Sequence, residues 1–334
     1  MVNRRVLLAA RPEGQPTDDD FEIDDEEVAD PGDGELLVRV SHISLDPAMR
    51  GWMRDVPSYI PPVGLGDVMR AGAVGEVVAS KHDRFATGDH VYGAFGVQQY
   101  ATSNGAGVQK VDPGVAPLPT YLGALGLTGM TAYFGLLDIG QPKEGDTVVV
   151  SGAAGAVGSA VGQIATIKGC RAIGIAGGPE KCAHVVDDLG FEACIDYKNE
   201  DVRKALKQHA PDGVDVYFDN VGNPILDAVL ARIARGARIV ICGAIAQYNA
   251  DAMEGPRNYM QLLVRRARME GFVVFDYARR YGEAAQEIVG WMREGRFTTR
   301  EDIVEAPVEA FPQVLRKLFD GDNVGKLVLE VEHA

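Results

Sequence analysis

The sequence predicts an α/β protein in which a β-rich part precedes a doubly wound parallel sheet. From about residue 4 to residue 120, short strand-like segments are separated by Gly, Pro and Asp. From about residue 121 onward, strand-like segments alternate with helical stretches, and this alternation is typical of a parallel sheet covered by helices. The alternation stops near residue 296, and a last strand is expected to rejoin the β-rich part.

The individual elements follow from the same periodicities. Strands of the β-rich part are predicted at Leu36–Val40, Gly75–Val78 and Asp89–Tyr92. Strands of the parallel sheet are predicted at Thr147–Ser151, Ala172–Ala176, Ala193–Asp196, Val214–Asp219 and Arg238–Cys242. A helix at 308–319 and a strand at 326–331 end the pattern, so we expect one domain at 1–128 with 297–334 and a second at 129–296.

A glycine-rich turn follows the first strand of the parallel sheet, in the segment Ser151-Gly-Ala-Ala-Gly-Ala-Val-Gly158. Without a Cβ atom, Gly155 lets a pyrophosphate approach the backbone N–H groups. Gly158 lets the following helix pack closely and direct its positive end at the anion. Ala153 stands where the usual G-x-G-x-x-G begins, so a turn without a ligand remains the alternative.

The end of the second strand indicates which nucleotide would bind. NAD-binding units usually have Asp or Glu there to hold the ribose 2′-hydroxyl, whereas this chain has Gly177 and Gly178. No carboxylate at that position repels a 2′-phosphate, and Lys181 follows closely. We interpret this as a preference for NADP(H), with a merely solvated Lys181 as the alternative.

Composition limits the class of protein. Hydrophobic residues make up 46% of the 334 residues and charged residues 24%, so we expect two ordered cores. The sequence shows no signal segment and no apolar run long enough for a bilayer, and we expect a cytoplasmic protein. A net charge of −15 disfavours nucleic acid and anionic membranes as partners. Ten carboxylates between Asp18 and Asp33 are expected in a solvated loop.

The cysteines argue against a metal site. All four lie in the second half of the chain and none has a C-x-x-C spacing. The first 169 residues therefore cannot supply cysteine ligands to zinc. We expect a metal-independent protein whose cysteines are reduced and fill small apolar spaces.

Seven segments spread over the chain carry a resemblance to a known family. They are Ser44-Leu-Asp-Pro-Ala-Met-Arg-Gly51, Gly126-Leu-Thr-Gly-Met-Thr-Ala-Tyr-Phe-Gly135, Val150–Gly158, Phe218-Asp-Asn-Val-Gly222, Cys242-Gly-Ala-Ile-Ala-Gln-Tyr-Asn249, Glu270-Gly-Phe-Val-Val-Phe275 and Gly321-Asp-Asn-Val-Gly-Lys326. In their order they resemble zinc-independent medium-chain dehydrogenases/reductases, specifically the group of prostaglandin reductases, leukotriene B4 12-hydroxydehydrogenases, alkenal double-bond reductases and curcumin reductases. The resemblance implies a GroES-like β-rich catalytic domain, a Rossmann NADP(H)-binding domain and a homodimer.

The resemblance also implies which residues bind NADP(H). The glycine-rich turn holds the pyrophosphate, and Lys181 and Tyr197 hold the 2′-phosphate. The implied cofactor-binding residues are Gly155, Ala156, Val157, Gly158, Lys181, Tyr197, Asn220, Cys242, Gly243, Ala244, Ile245, Phe272, Val273, Val274 and Asn323.

The implied reaction is reduction of the carbon–carbon double bond of an apolar α,β-unsaturated ketone or aldehyde. Hydride addition to the β-carbon leaves an enolate, and Tyr248 is the implied donor of a hydrogen bond to its oxygen, unless it only stacks on the cofactor. Arg50 and Tyr59 are substrate-side candidates, with Arg50 alternatively tying its own loop. The family often has a tyrosine at the position of Ala48, so the pocket wall differs here. Quinone reduction and NADPH binding without turnover are the alternative functions.

Overall fold

A computed structural model of the protein describes residues 1–333. The chain forms two compact units. The first consists of Met1–Gly123 and the segment that starts at Glu301, and the second consists of Ala124–Arg300.

The first unit is built mainly of β-strands. These are β1 (Val2–Leu8), β2 (Phe21–Glu27), β3 (Leu36–Ser44), β4 (Ala73–Ser80), β5 (His90–Gly93), β6 (Tyr100–Ser103), β7 (Gln109–Lys110), β14 (Glu301–Ala306) and β15 (Lys326–Val331). β1 and β2 form an antiparallel hairpin. The other strands form a sheet in the order β14-β15-β3-β4-β5-β7, with β6 also paired to β3. The segment after Glu301 thus adds two strands to the sheet of the first unit.

Two helices complete this unit, the short α1 (Met49–Trp52) and α9 (Phe311–Asp320). α9 places Phe311, Val314 and Leu315 in the apolar core that the sheet encloses. The three residues are spaced so that they share one face of the helix. Burial of this face holds α9 against the sheet.

Only part of the acidic run is the solvated loop that we expected, because its middle segment forms a strand. Residues 21–27 form β2, which pairs along its whole length with β1. Arg4 is ion-paired with Asp25 at 2.8 Å, and Arg5 with Asp24 at 2.7 Å. The prediction was wrong for this segment because cross-strand cations on β1 neutralise carboxylates that would otherwise repel each other in a strand.

The second unit is a parallel sheet with helices on both faces. Its strands are β8 (Thr147–Ser151), β9 (Arg171–Ala176), β10 (Ala193–Asp196), β11 (Val214–Asp219), β12 (Ile233–Ile241) and β13 (Arg268–Gly271). Its α-helices are α2 (Leu127–Phe134), α3 (Ala156–Ile167), α4 (Pro179–Ala183), α5 (Val202–His209), α6 (Ile225–Leu230), α7 (Met260–Arg265) and α8 (Tyr281–Arg293). The strand order is β10-β9-β8-β11-β12-β13, and all neighbours are parallel.

Each face of the parallel sheet has its own core. Val148 and Val150 of β8 face one cluster, which includes Val161 and Ile164 of α3. Val149 faces the other cluster, on the side of α5 and α6. Because both faces are covered, the middle positions of β8 are apolar on both sides, which confirms the prediction of a doubly wound sheet. None of the helices among residues 1–333 is long and apolar enough to cross a membrane.

Candidate functional site

The predicted cofactor-binding residues of the second unit collect at one edge of its sheet. β8 and β11 lie side by side in the middle, and the chain continues outward from them in opposite directions. In doubly wound sheets, ligands bind in the crevice at the carboxyl ends of the strands where the order reverses. The residues after β8, β9, β10, β11 and β12 all emerge at this edge.

The glycine-rich turn after β8 has the shape of a phosphate cradle. Gly152 has a φ of +62°, and Gly155 is the residue that precedes the first turn of α3. A Cβ atom added to Gly158 would lie 2.2 Å from the Gly152 carbonyl oxygen, so Gly158 is required for close packing, as predicted. The first N–H groups of this 12-residue helix have no acceptor within the helix and can hold an anion.

The turn after β9 is covered by side chains that follow β10. A Cβ atom on Gly177 would lie 2.9 Å from the Tyr197 hydroxyl and 3.0 Å from Cε of Lys198. Tyr197 is half-exposed, and Lys198 is exposed. Lys181 lies in α4, directly after this turn. The structure therefore adds Lys198 to the two residues that the sequence indicated.

Asp196 lies at the end of β10 beside this turn, but its carboxylate is occupied. One oxygen accepts hydrogen bonds from the backbone N–H of Gly178 at 2.8 Å and of Lys198 at 3.1 Å. The other accepts from the Asn199 amide at 2.7 Å. The Asn199 and Gly178 hydrogen bonds hold the pKa of Asp196 below its usual range. Asp196 thus fixes the shape of the turn.

Asn220 follows β11 and is fixed to the end of β8. Its backbone N–H donates to Oγ of Ser151 at 3.0 Å, and its side-chain amide donates to the Ser151 carbonyl at 2.8 Å. Cys242 follows β12, and burial raises the pKa of its thiol to about 12. A thiol with that pKa stays neutral at pH 7, so Cys242 offers the site packing rather than charge.

Tyr248 returns to the same edge through the turn that follows β12. Its hydroxyl oxygen accepts a hydrogen bond of 3.2 Å from the backbone N–H of Ala244. A Cβ atom added to Gly243 would lie 2.9 Å from that oxygen, so a larger residue there would displace the phenol. Ile245 begins a short 3-10 turn that leads to Tyr248. The turn places a phenol beside the carboxyl end of β12.

The remaining predicted residues of the second unit lie just after β13. The Phe272 ring packs edge-on to Phe218, with centroids 6.5 Å apart, and contributes to one of the two cores. Val273 precedes a 3-10 segment that begins at Val274. Their placement after a strand of the parallel sheet is the one that the sequence indicated.

Three predicted residues belong to the first unit. The Asn323 side chain donates to the Gly325 carbonyl at 3.1 Å, just before β15. Arg50 is 2% exposed and donates to the carbonyl oxygens of Pro12 and Gly14, each at 2.9 Å. This burial favours the alternative in which Arg50 ties a loop. Tyr59, in contrast, is 56% exposed.

In the region of residues 45–63, main-chain carbonyl oxygens accept hydrogen bonds from positively charged side chains. Arg11 donates to the carbonyl oxygens of Met53 at 2.9 Å and Val63 at 2.6 Å. Lys326, which is buried, donates to the Leu45 carbonyl at 2.6 Å. Within this region a pocket of about 370 Å³ is lined by residues 55–62.

Sequence reasoning did not single out two residues that the structure places at this candidate site. Lys198 was adjacent to Tyr197 in the sequence, and its charge was the available signal. Asp219 was part of the Phe218-Asp-Asn-Val-Gly222 segment, but a carboxylate inside an apolar strand end was not singled out. Its contacts depend on strand neighbours that only the fold reveals.

Comparison with known proteins identifies the family. Residues 4–111 match a family model described as the N-terminal domain of oxidoreductase, and residues 156–290 match one described as zinc-binding dehydrogenase. The NADPH-dependent curcumin reductase of Escherichia coli is 43% identical over 335 residues, which cover 98% of this chain and 97% of that protein. The chain belongs to the medium-chain dehydrogenase/reductase family.

Further members of this family support the same assignment. A 2-alkenal reductase (NADP(+)-dependent) of Nicotiana tabacum is 38% identical over 335 residues, covering 98% of this chain and 97% of the relative. The crystal structure of CurA in complex with NADPH from Vibrio vulnificus has a TM-score of 0.94 at 45% identity, covering 99% of this chain and all of that one. Despite the words zinc-binding in one family description, residues 1–333 contain no group of three or more His, Cys, Asp or Glu side chains that could hold a metal ion.

Proposed function

We propose that this protein reduces the carbon–carbon double bond of α,β-unsaturated ketones and aldehydes with NADPH. The observation that carries the proposal is the Tyr248 hydroxyl, held by the Ala244 N–H at the sheet edge that also carries the glycine-rich turn. The curcumin and 2-alkenal reductases that resemble the chain over nearly its whole length support the same chemistry.

The residues of the second unit fit NADP(H). The N-terminus of α3 with Gly155, Ala156, Val157 and Gly158 would hold the pyrophosphate. Lys181, Tyr197 and Lys198 would hold the 2′-phosphate, because ammonium groups and a phenol can all donate hydrogen bonds to it. The further contacts would come from the segments after β11, β12 and β13. Their residues are Asn220, Cys242, Gly243, Ala244, Ile245, Phe272, Val273 and Val274.

Tyr248 would supply the electrophilic assistance. Bound NADPH supplies a hydride that adds to the β-carbon of the substrate. Negative charge then develops on the carbonyl oxygen, and the Tyr248 phenol donates a hydrogen bond to it. Uptake of a proton from water at the α-carbon of this enolate completes the saturated product. The Ala244 N–H, which donates to the phenol oxygen, holds the hydroxyl in place and makes it a stronger donor. The first unit would act as the substrate domain.

The substrate side is assigned to the region around the pocket of residues 55–62. Tyr59 is its exposed aromatic residue, and Val56 is its exposed aliphatic residue. Such lining favours a small apolar molecule. Ala48 lacks the ring that the family often has there, so we expect a wider range of substrates than that of a narrow family member.

We also propose a homodimer, formed through the free edge of β13. β13 is the last strand of the parallel sheet, whereas β12 is internal to it. The neighbouring α7 region exposes Tyr259, Met260, Leu263 and Val264. An exposed strand edge next to apolar side chains is suited to a symmetric pair. Light scattering of the purified protein tests this, and a mass of one chain would contradict it.

A cytoplasmic location suits the four cysteines, which are all free thiols.

The proposed reaction is tested by mixing the purified protein with NADPH, and separately with NADH, against enones, enals and quinones. We expect loss of reduced cofactor with NADPH, little with NADH, and saturated ketones or aldehydes as products by mass spectrometry. Turnover confined to quinones would favour quinone reduction instead. Cofactor binding without turnover of any class would indicate a non-enzymatic NADPH-binding protein.

A further inference from the structure

A buried carboxylate lies at the centre of the sheet edge that carries Tyr248. Asp219 ends β11 and is 1% exposed. A single oxygen of its carboxylate accepts four hydrogen bonds. The donors are the hydroxyl of Ser151 at 3.1 Å, the hydroxyl of Tyr217 at 2.9 Å, and the N–H groups of Val221 at 3.0 Å and Gly222 at 2.9 Å.

The backbone of Asp219 extends these contacts to the turn after β12. Its carbonyl oxygen accepts from the N–H of Cys242 at 2.9 Å and of Gly243 at 3.0 Å. The carbonyl of the next residue, Asn220, accepts from the Ile245 N–H at 3.2 Å. Asp219 therefore connects the carboxyl ends of β8, β11 and β12.

The same turn holds the proposed catalytic phenol. Ala244 lies between Gly243 and Ile245, and its N–H donates to the Tyr248 hydroxyl. Gly243 itself closely approaches that hydroxyl. A displacement of residues 242–245 would therefore displace the phenol oxygen directly.

We propose that Asp219 is a positioning residue that sets the place of the Tyr248 hydroxyl through the turn at residues 242–245. This inference rests on the proposed function. It assigns a role to a residue that would touch neither cofactor nor substrate. Its effect on turnover arises because a shift of about 1 Å in a reacting group can cost roughly 100-fold in rate.

The negative charge matters for this role. All four groups that contact the Asp219 carboxylate are hydrogen-bond donors, so they need an acceptor. An ionised carboxylate can only accept hydrogen bonds. Asparagine has nearly the same shape but is uncharged and replaces one oxygen with an amino group. It would weaken the four hydrogen bonds and let the strand ends relax.

Asp215 offers a matched control on the same strand. It lies at the opposite end of β11, where its carboxylate accepts the Thr147 N–H at 3.0 Å. Asp215→Asn makes the same chemical change at the amino edge of the sheet, away from Tyr248. It measures what loss of a carboxylate in β11 does by itself.

The experiment compares Asp219→Asn, Tyr248→Phe and the double variant with the parent. For Asp219→Asn we expect kcat for an enone to fall about 10- to 100-fold while 2′,5′-ADP, measured by calorimetry, binds as before. In the Tyr248→Phe background the same substitution should cause little further loss, because two residues that act through one group are not additive. Asp215→Asn should retain the parental kcat.

A spectroscopic measurement needs no turnover. With tyrosine labelled at the ring carbon that bears the hydroxyl, the Tyr248 resonance is assigned by its loss in Tyr248→Phe. It should move in Asp219→Asn and stay in Asp215→Asn. If Asp219→Asn does not fold, Tyr217→Phe removes one of the four donors and should cause a smaller change of the same kind.

Three results would overturn the inference. The first is that Asp219→Asn lowers kcat as much in the Tyr248→Phe background as in the parent. The second is a Tyr248 resonance that does not move in Asp219→Asn. The third is a weakening of 2′,5′-ADP binding in Asp219→Asn that matches its loss of kcat. Absence of enone turnover in the parent protein would instead contradict the proposed function, while the resonance would still report whether Asp219 positions Tyr248.

Discussion

Two buried carboxylates, Asp196 and Asp219, end strands of the same parallel sheet but differ in their surroundings. Asp196, at the end of the outer strand β10, has a pKa lowered by the hydrogen bonds that it accepts. Asp219, in the middle of the sheet, has a pKa raised because burial outweighs its four hydrogen bonds. The charge of Asp196 therefore stabilises the fold, whereas the charge of Asp219 costs folding free energy.

The difference separates two tasks along one edge. Around Asp196 lie Lys181, Tyr197 and Lys198, which we propose bind the 2′-phosphate of the cofactor. Around Asp219, backbone contacts lead to Tyr248. A carboxylate kept at a cost to stability is typical of a functional site, so we expect changes near Asp196 to alter cofactor affinity and changes near Asp219 to alter rate.

The largest effect expected is that of Tyr248→Phe. Removing the phenol should lower kcat about 100- to 1000-fold, as loss of a hydrogen bond to a developing oxyanion does. Binding of 2′,5′-ADP should not change. Steady-state kinetics and calorimetry measure both. Tyr100→Phe, at a tyrosine of β6 in the first unit, is the control and should retain activity. Equal kcat values in the two variants would remove Tyr248 from the mechanism.

A smaller effect is expected for Lys198→Met. Losing a charged donor to the 2′-phosphate should weaken NADPH binding about tenfold or more, since hydrogen bonds to charged groups contribute about 1.5–3 kcal/mol. NADH binding should stay as it is. Fluorescence titration with each cofactor measures the ratio. Lys207→Met, at an exposed lysine of α5, is the matched control. If both cofactors lost affinity equally, Lys198 would not recognise the 2′-phosphate.

The smallest effects concern stability and its pH dependence. Because the folded pKa of Asp196 is below the ordinary value of 3.8, its contribution is present above that value and is lost as the pH falls through the folded pKa. Asp196→Asn should lower Tm by about 2–8 °C at pH 7, which corresponds to about 1–2 kcal/mol.

The contribution of Asp219 to stability should depend on pH in the opposite direction. Its folded pKa is raised above 3.8, so its contribution is present at low pH and is lost as the pH rises through the folded pKa. Asp219→Asn should therefore gain stability relative to the parent as the pH is raised from 4 to 8. Thermal melts across this range measure both variants. The same direction of change in both would contradict the comparison.

Much of the parallel sheet was predictable from the sequence. Thr147–Ser151, Ala193–Asp196 and Val214–Asp219 have the predicted bounds because strands buried on both faces are continuous apolar runs between clear turns. β12 begins at Ile233 rather than Arg238, since Arg235 and Gly236 interrupt its apolar pattern. β2 was missed because its carboxylates depend on Arg4 and Arg5 of another strand.

The candidate site was predictable where function depends on local backbone shape. The turn at residues 152–158 needs glycine for reasons that the sequence itself contains. The contacts of Asp219 and the approach of Lys198 to Gly177 depend on which strands are neighbours in the sheet, so no local pattern could indicate them. For Arg50 the sequence suggested a possible substrate-side role, but in the structure its guanidinium holds two carbonyl groups.

The hydrogen bonds from Arg11 and Lys326 to residues 45–63 have a consequence for how new substrate specificities could evolve. Arg11 binds two main-chain carbonyl groups of that region, and Lys326 binds the Leu45 carbonyl and the Asp46 carboxylate, so these contacts do not depend on the side chains at positions 48 and 59. Mutations at positions such as Ala48 and Tyr59 can therefore accumulate without dismantling the loop that presents them. A library randomised at these positions should retain a high fraction of folded members, which makes this region the natural place to select for activity on new compounds.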